Sequence, residues 1–171
     1  MPFEIPSDLH PDLMPIAFLL GHWHGNGHGD YPTIEAFQFR QEVGFTHDGR
    51  PFLHYLSRTW LLDDDGNDVR PLALETGFFR PQPEGAIEVL LTHPTGYAEI
   101  YYGTVEGAKI ELATDAVART TSAKEYRGGH RLYGLVEGDL LWTFDMAAVG
   151  QDLQSHIWAR LQRDEGSPSA D

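Results

Sequence analysis

Six side chains have the type and spacing to do chemistry: His22, His24, His28, Thr33, Lys124 and His156. Three of the histidines stand in the stretch Gly21-His22-Trp23-His24-Gly25-Asn26-Gly27-His28-Gly29, where a first strand should start. Alternate strand residues point the same way and neutral imidazoles bind zinc, copper or nickel, so His22 and His24 could share a metal. His28 lies beyond two glycines, and a zinc site wants three or four ligands with oriented partners behind them; surface histidines are the simpler reading. Gly21, Gly25 and Gly27 strip one face so that another strand or a flat ligand can come near, and Trp23 adds a large apolar plate. His156 sits alone in the last strand-like run, Leu153 to Leu161. There Ile157, Ala159 and Leu161 share one face and leave His156 with Trp158 and Arg160, so either the interior is partly polar or a bulge shifts the register. Thr33 and Lys124 read on their own as a strand-start hydroxyl and a solvated amine.

Other chemistries lack their residues. The run Asp63-Asp64-Asp65-Gly66-Asn67-Asp68 has no glutamate at calcium-loop spacing and no flanking helices, so it reads as a solvated turn. There is no nucleophile elbow, phosphate loop or dinucleotide fingerprint. Zero cysteines remove thiolate ligands and disulfides, which suits a reducing cytoplasm. A net charge of −14 disfavours nucleic acid and anionic membranes, and no apolar run is long enough to span a bilayer.

The elements that must position these residues are strands. A chain of 171 residues fits one domain. Residues 1–12 read as an arm, with His10 to Leu20 able to form a short helix that plugs something and Pro15 limiting its regularity; 164–171 reads as a disordered tail. Between them, runs rich in Val, Ile, Thr, Phe, Tyr and Trp are separated by turn signals such as His47-Asp48-Gly49, Pro94-Thr95-Gly96 and Glu137-Gly138-Asp139. Phe37, Phe39, Val43 and Phe45 share a parity against Gln38, Arg40 and Glu42, and Leu140, Trp142, Phe144 and Met146 repeat the pattern. The expectation is an all-β, roughly ten-stranded antiparallel up-and-down barrel over residues 13–163, wide enough for a ligand cavity.

Five motifs in order, Gly21-x-Trp23-x-Gly25-x-Gly27, Tyr31-Pro32-Thr33, His93-Pro94-Thr95-Gly96, Thr121-Ser122-Ala123-Lys124-Glu125, and Met146 to Gly150 leading to Ser155-His156, resemble the nitrobindin family. The resemblance implies a ten-stranded barrel related in shape to fatty-acid-binding proteins and lipocalins. It further implies heme b in the ferric state, reversible nitric oxide binding and isomerisation of peroxynitrite to nitrate. Carried over by motif, His156 is the proximal axial ligand and catalytic centre, Thr33 a heme contact and Lys124 a propionate contact. A monomer or homodimer acting on small molecules is expected. The alternative is a carrier of an apolar small molecule, with Arg160 or Lys124 holding a carboxylate.

Overall fold

The computed structural model describes residues 3–165; positions 1–2 of the expected arm and 166–171 of the expected tail lie outside the described residues. Ten strands follow in order: β1 Gly21–Tyr31, β2 Ile34–Thr46, β3 Leu53–Leu62, β4 Asp68–Pro81, β5 Ala86–His93, β6 Tyr97–Glu106, β7 Lys109–Arg119, β8 Tyr126–Val136, β9 Asp139–Ala148 and β10 Gln154–Arg163. Each pairs antiparallel with its sequence neighbours and β1 pairs with β10, which closes the barrel. Between β7 and β8 the pairing covers only Lys109–Ala113 with His130–Gly134, so the rim ends of these two strands part. The expected inside and outside faces of β2 and β9 are observed: Phe39, Val43, Phe45, Leu140, Trp142 and Phe144 are buried, while Gln38, Glu42 and Thr143 are exposed. Gln41 breaks the pattern by lying inside. Its amide donates to Ser57 Oγ at 2.9 Å and its carbonyl accepts from the Trp142 indole at 2.9 Å, which meets the requirement that buried polar groups be paired.

One end is plugged. Pro11–Leu19 forms a 3₁₀ helix that buries Leu13, Ile16, Ala17 and Leu19 against the barrel. Pro11 stands in the first turn, where the N–H has no intrahelical partner, and Pro15 removes one interior N–H, which keeps the helix short and irregular. Trp23 donates its indole N–H to the Leu19 carbonyl at 2.8 Å, so this plate serves the plug. The Arg163 guanidinium stacks between Phe3 at 3.9 Å and Trp23 at 4.2 Å and donates to the carbonyls of Phe18, at 2.7 Å, and Leu20. Burial there pulls the Arg163 pKa down to about 10.

The opposite end is a rim. In a closed up-and-down barrel alternate hairpins gather at one end, so the β1–β2, β3–β4, β5–β6, β7–β8 and β9–β10 connections share it. The acidic run is one of these turns, with Asp63 Oδ1 accepting from the N–H groups of Asp65 and Asn67. Gly96 turns the β5–β6 hairpin at φ 107°, and a Cβ there would lie 2.5 Å from Thr120 Oγ1, so both backbone conformation and space demand glycine.

Candidate functional site

The register of β10 decides what His156 can do. Ser155 pairs with Asp145 and Ile157 pairs with Phe144, and the register shifts between them. His156 is therefore the extra residue of a β-bulge, which frees it from the outward parity of Trp158 and Arg160. Its ring lies among inward-facing aromatics: Tyr31 at 5.3 Å, Phe144 at 5.9 Å and Phe37 at 6.5 Å between centroids. Both options read from the sequence hold, since the register shifts and the interior is also partly polar. His156 Nδ1 lies 3.0 Å from the Asp30 carbonyl oxygen. A carbonyl only accepts, so Nδ1 carries the proton and Nε2 keeps its lone pair. Burial lowers the His156 pKa and favours this neutral form.

Glycines make room for these rings. A Cβ at Gly29 would lie 2.1 Å from Phe37 Cζ, and one at Gly129 would lie 2.2 Å from Phe144 Cε2. The stripped face of β1 is thus filled by Phe37 and Phe39 and by the backbone of β10.

The rim connections are tied together beside His156. The Tyr31 hydroxyl accepts from the Ala148 N–H and lies 3.0 Å from the Met146 carbonyl, joining the end of β1 to the end of β9. The Val149 N–H donates to the Glu125 carbonyl at 3.1 Å, and the Thr120 N–H donates to the Gly96 carbonyl at 2.8 Å. Thr33 lies exposed in the β1–β2 turn and Lys124 exposed in the β7–β8 connection, at this same end. Four of the quoted motifs therefore meet at the rim, and Trp23 of the first lies at the plugged end. His22 and His24 are exposed and His28 packs against the outward Trp158. His24 pairs with Asp164, and among the described residues no three His, Cys, Asp or Glu side chains are grouped to hold a metal.

The rim half of the interior holds a polar network that the sequence reading left without a role. Arg131, fully buried, makes a forked pair with Glu75 at 2.6 and 2.8 Å and donates to the hydroxyls of Tyr101 at 3.0 Å and Tyr133 at 3.2 Å. Tyr55 donates to Glu75 Oε1 at 2.6 Å. Burial alone would raise the Glu75 carboxyl, but the Arg131 charge and hydrogen bonds hold it at about 2. Alongside, Glu99 accepts from Tyr126 at 2.6 Å and Thr114 at 3.3 Å, and its Oε2 lies 2.7 Å from His93 Nε2. Burial raises the Glu99 carboxyl, yet these bonds and Arg131 keep it below the usual carboxylate range. The Arg131 guanidinium also lies 4.7 Å from the Phe144 ring that packs on His156. The visible sign was parity: Glu75 shares a face with Gly77 and Phe79, and Arg131 with Gly129 and Tyr133, all inward.

Residues 12–163 match the family model described as the THAP4-like, heme-binding beta-barrel domain. The chain belongs to this family. It is 64% identical over 163 residues to the peroxynitrite isomerase of Nocardioides sp., covering 95% of this chain and 99% of that one. It is 53% identical to the ferric nitrobindin-like protein of Cutibacterium acnes, covering 95% and 99%. The crystal structure of Rv2717c from M. tuberculosis superposes with a TM-score of 0.83 at 40% identity, covering 92% of this chain and 99% of that one.

The residues present fit the group for which the family is named. An iron porphyrin needs a neutral imidazole with a free nitrogen, oriented by a hydrogen bond through the other nitrogen, and an apolar aromatic surround. His156 offers the first through Asp30 and the second through Tyr31, Phe37 and Phe144. Surface depressions of about 610 and 470 Å³ lie elsewhere, one on the outer wall beside Phe78 and Leu90 and one under the plug beside Phe3 and Phe18.

Proposed function

We propose that this chain binds ferric heme b through His156 at the barrel rim and isomerises peroxynitrite to nitrate, with reversible nitric oxide binding at the same position. The observation that carries this is the bulge at His156, which turns an otherwise outward histidine into the barrel with Nδ1 already committed to a carbonyl. Held by His156, heme would supply Lewis-acid chemistry toward the peroxynitrite anion. The protein's part is to hold and to confine. Asp30 fixes the imidazole, Phe37 and Phe144 exclude water around it, and Thr33 and Lys124 stand at the rim where heme edges and propionates would lie. Membership of a heme-binding family and the naming of the Nocardioides relative support the reading. The proposal places the site in a single domain over 13–163 and the protein in the cytoplasm; no helix among the described residues is long and apolar enough to cross a membrane.

The carrier alternative needs a free cation inside to hold a carboxylate. Arg160 faces outward and pairs with Asp139 at 2.5 Å, Lys124 is exposed on the rim and not inside, and the interior Arg131 is already taken by Glu75. The test is titration of the apoprotein with hemin. A stoichiometric Soret band in the wild type that His156→Ala loses is the expected result; equal binding by the variant removes His156 from the role.

A further inference from the structure

The seam between β7 and β8 differs from the rest of the barrel. Both strands run on to the rim, since Arg119 still pairs with Tyr97 of β6 and Tyr126 with Ala148 of β9, but their mutual pairing stops at Ala113 and His130. It is the shortest ladder in the barrel. Beyond it, residues 116–119 and 126–128 each pair with one neighbouring strand only. The cause is a pair of bulges. Ile100 pairs with Ala116 and Tyr101 with Thr114, which leaves Asp115 extra in β7; Tyr126 pairs with Ala148 and Gly128 with Ala147, which leaves Arg127 extra in β8. A bulge bends and twists its strand, and one on each side of the same seam ends the ladder between them.

A single side chain closes the parting where it begins. Thr114 Oγ1 accepts from the Gly129 N–H at 2.9 Å and lies 3.1 Å from the Gly129 carbonyl oxygen and 3.3 Å from Glu99 Oε1. The hydroxyl thus stands in for the backbone pairing that the bulges remove. The strands touch at this point: a Cβ at Gly128 would lie 3.0 Å from Thr114 Cβ. Gly129 also lies under the Phe144 ring, which packs on His156 at 5.9 Å. The clasp is therefore linked to the candidate iron ligand through one glycine and one aromatic ring. The connection that follows, residues 120–125, bears Lys124 and is tied to the rim through Thr120 to Gly96 and Val149 to Glu125.

Spreading any other seam breaks a longer run of backbone hydrogen bonds, whereas spreading this one at the rim breaks the Thr114 clasp, so local opening concentrates here. We propose that the parting of β7 and β8 is the side entrance of the barrel and Thr114 its latch: the two strand ends spread to pass heme to His156, and the clasp re-forms behind Phe144. The inference rests on the heme reading above and concerns only the route by which the group enters and leaves.

A latch and an ordinary packing contact have different kinetic signatures. Where opening precedes passage in both directions, loosening the latch speeds uptake and release together and leaves the equilibrium affinity unchanged. Hemin uptake by the apoprotein, and hemin release to excess apomyoglobin, would be timed by the Soret band for the wild type, Thr114→Val and Thr114→Ser, with circular dichroism as a check of fold. The expected result is both rates raised about 10-fold in Thr114→Val, the worth of one or two ordinary hydrogen bonds, with an unchanged dissociation constant and wild-type rates in Thr114→Ser. A second measurement does not depend on that variant. The chain has no cysteine, so Ala116→Cys with Arg127→Cys, both exposed and on either side of the parting, can be bridged by a short reducible bis-maleimide linker. Bridging should slow hemin uptake by a similar factor, and cleaving the linker before hemin is added should restore it. Faster release alone with weaker affinity marks Thr114 as a packing contact and overturns the proposal, as does uptake that bridging leaves unchanged. Absence of a Soret band in the wild type overturns the heme reading and the entrance with it.

Discussion

A few side chains carry the candidate chemistry, and each is constrained by a partner that can be removed. His156 is oriented by the Asp30 carbonyl, and His93 is bonded to the Glu99 carboxylate. Glu75 and Arg131 form the most heavily bonded ion pair of the interior. Removing one partner leaves an uncompensated charge, so Arg131→Met should destabilise by about 3–5 kcal/mol, measured by urea unfolding. The double variant Glu75→Leu with Arg131→Met should recover most of that loss, because no charge is then stranded. The pH dependence follows from the Glu75 carboxyl, held at about 2 against an ordinary 4.5. A depressed pKa means that the unfolded chain binds the proton first. The stability from this pair is therefore complete above pH 4.5 and is lost as pH falls from there towards 2. Glu75→Gln should flatten the unfolding midpoint over that interval.

Strand elements do the positioning, and the β10 bulge is the decisive one. Deleting Ser155 would remove the extra residue and leave His156 opposite Asp145, on the outward parity, with the pairing from Ile157 onward intact. The expected outcome is a folded barrel by circular dichroism that no longer takes up hemin; retained uptake would show that the bulge does not orient the ligand. Gly129 tests the adjacent strand. An alanine Cβ would meet the Phe144 ring at 2.2 Å and the Asp145 carbonyl at 2.6 Å, so Gly129→Ala should cost about 1–3 kcal/mol and weaken hemin retention by moving Phe144 off His156.

At the scale of the whole molecule the two ends of the barrel do different work. One is sealed by the 3₁₀ helix, Trp23 and Arg163, and the other gathers the rim connections, Thr33, Lys124, His93 and His156. This separation makes stability and binding independent to a useful degree. Arg163→Met loses the hydrogen bonds to Phe18 and Leu20 and the stacking on Phe3 and Trp23, and should lower the thermal midpoint by several degrees. Hemin affinity should stay at the wild-type value, because the site lies at the other end. A parallel fall in affinity would mean that the plug shapes the rim.

Strand content and the motifs that gather at the rim were legible in the residues alone. Alternating apolar residues in β2 and β9 specify strands with one buried face, closely spaced turn signals specify antiparallel hairpins, and about ten such strands must stack as two sheets or close, of which closure is observed. These are local patterns, readable within a dozen residues, and the Tyr31-Pro32-Thr33, Ala123-Lys124-Glu125 and Ser155-His156 motifs are equally local. Only the tertiary structure decided which way His156 faces, because a bulge is defined by the partner strand and not by its own residues. The same holds for the interior network. Arg131 meets Glu75 across 56 positions of sequence and Tyr126 meets Glu99 across 27, so no single stretch contains the charge and its counter-charge. The bulges at Asp115 and Arg127 that part β7 from β8 are defined in the same way as the one at His156, by the strands they pair with.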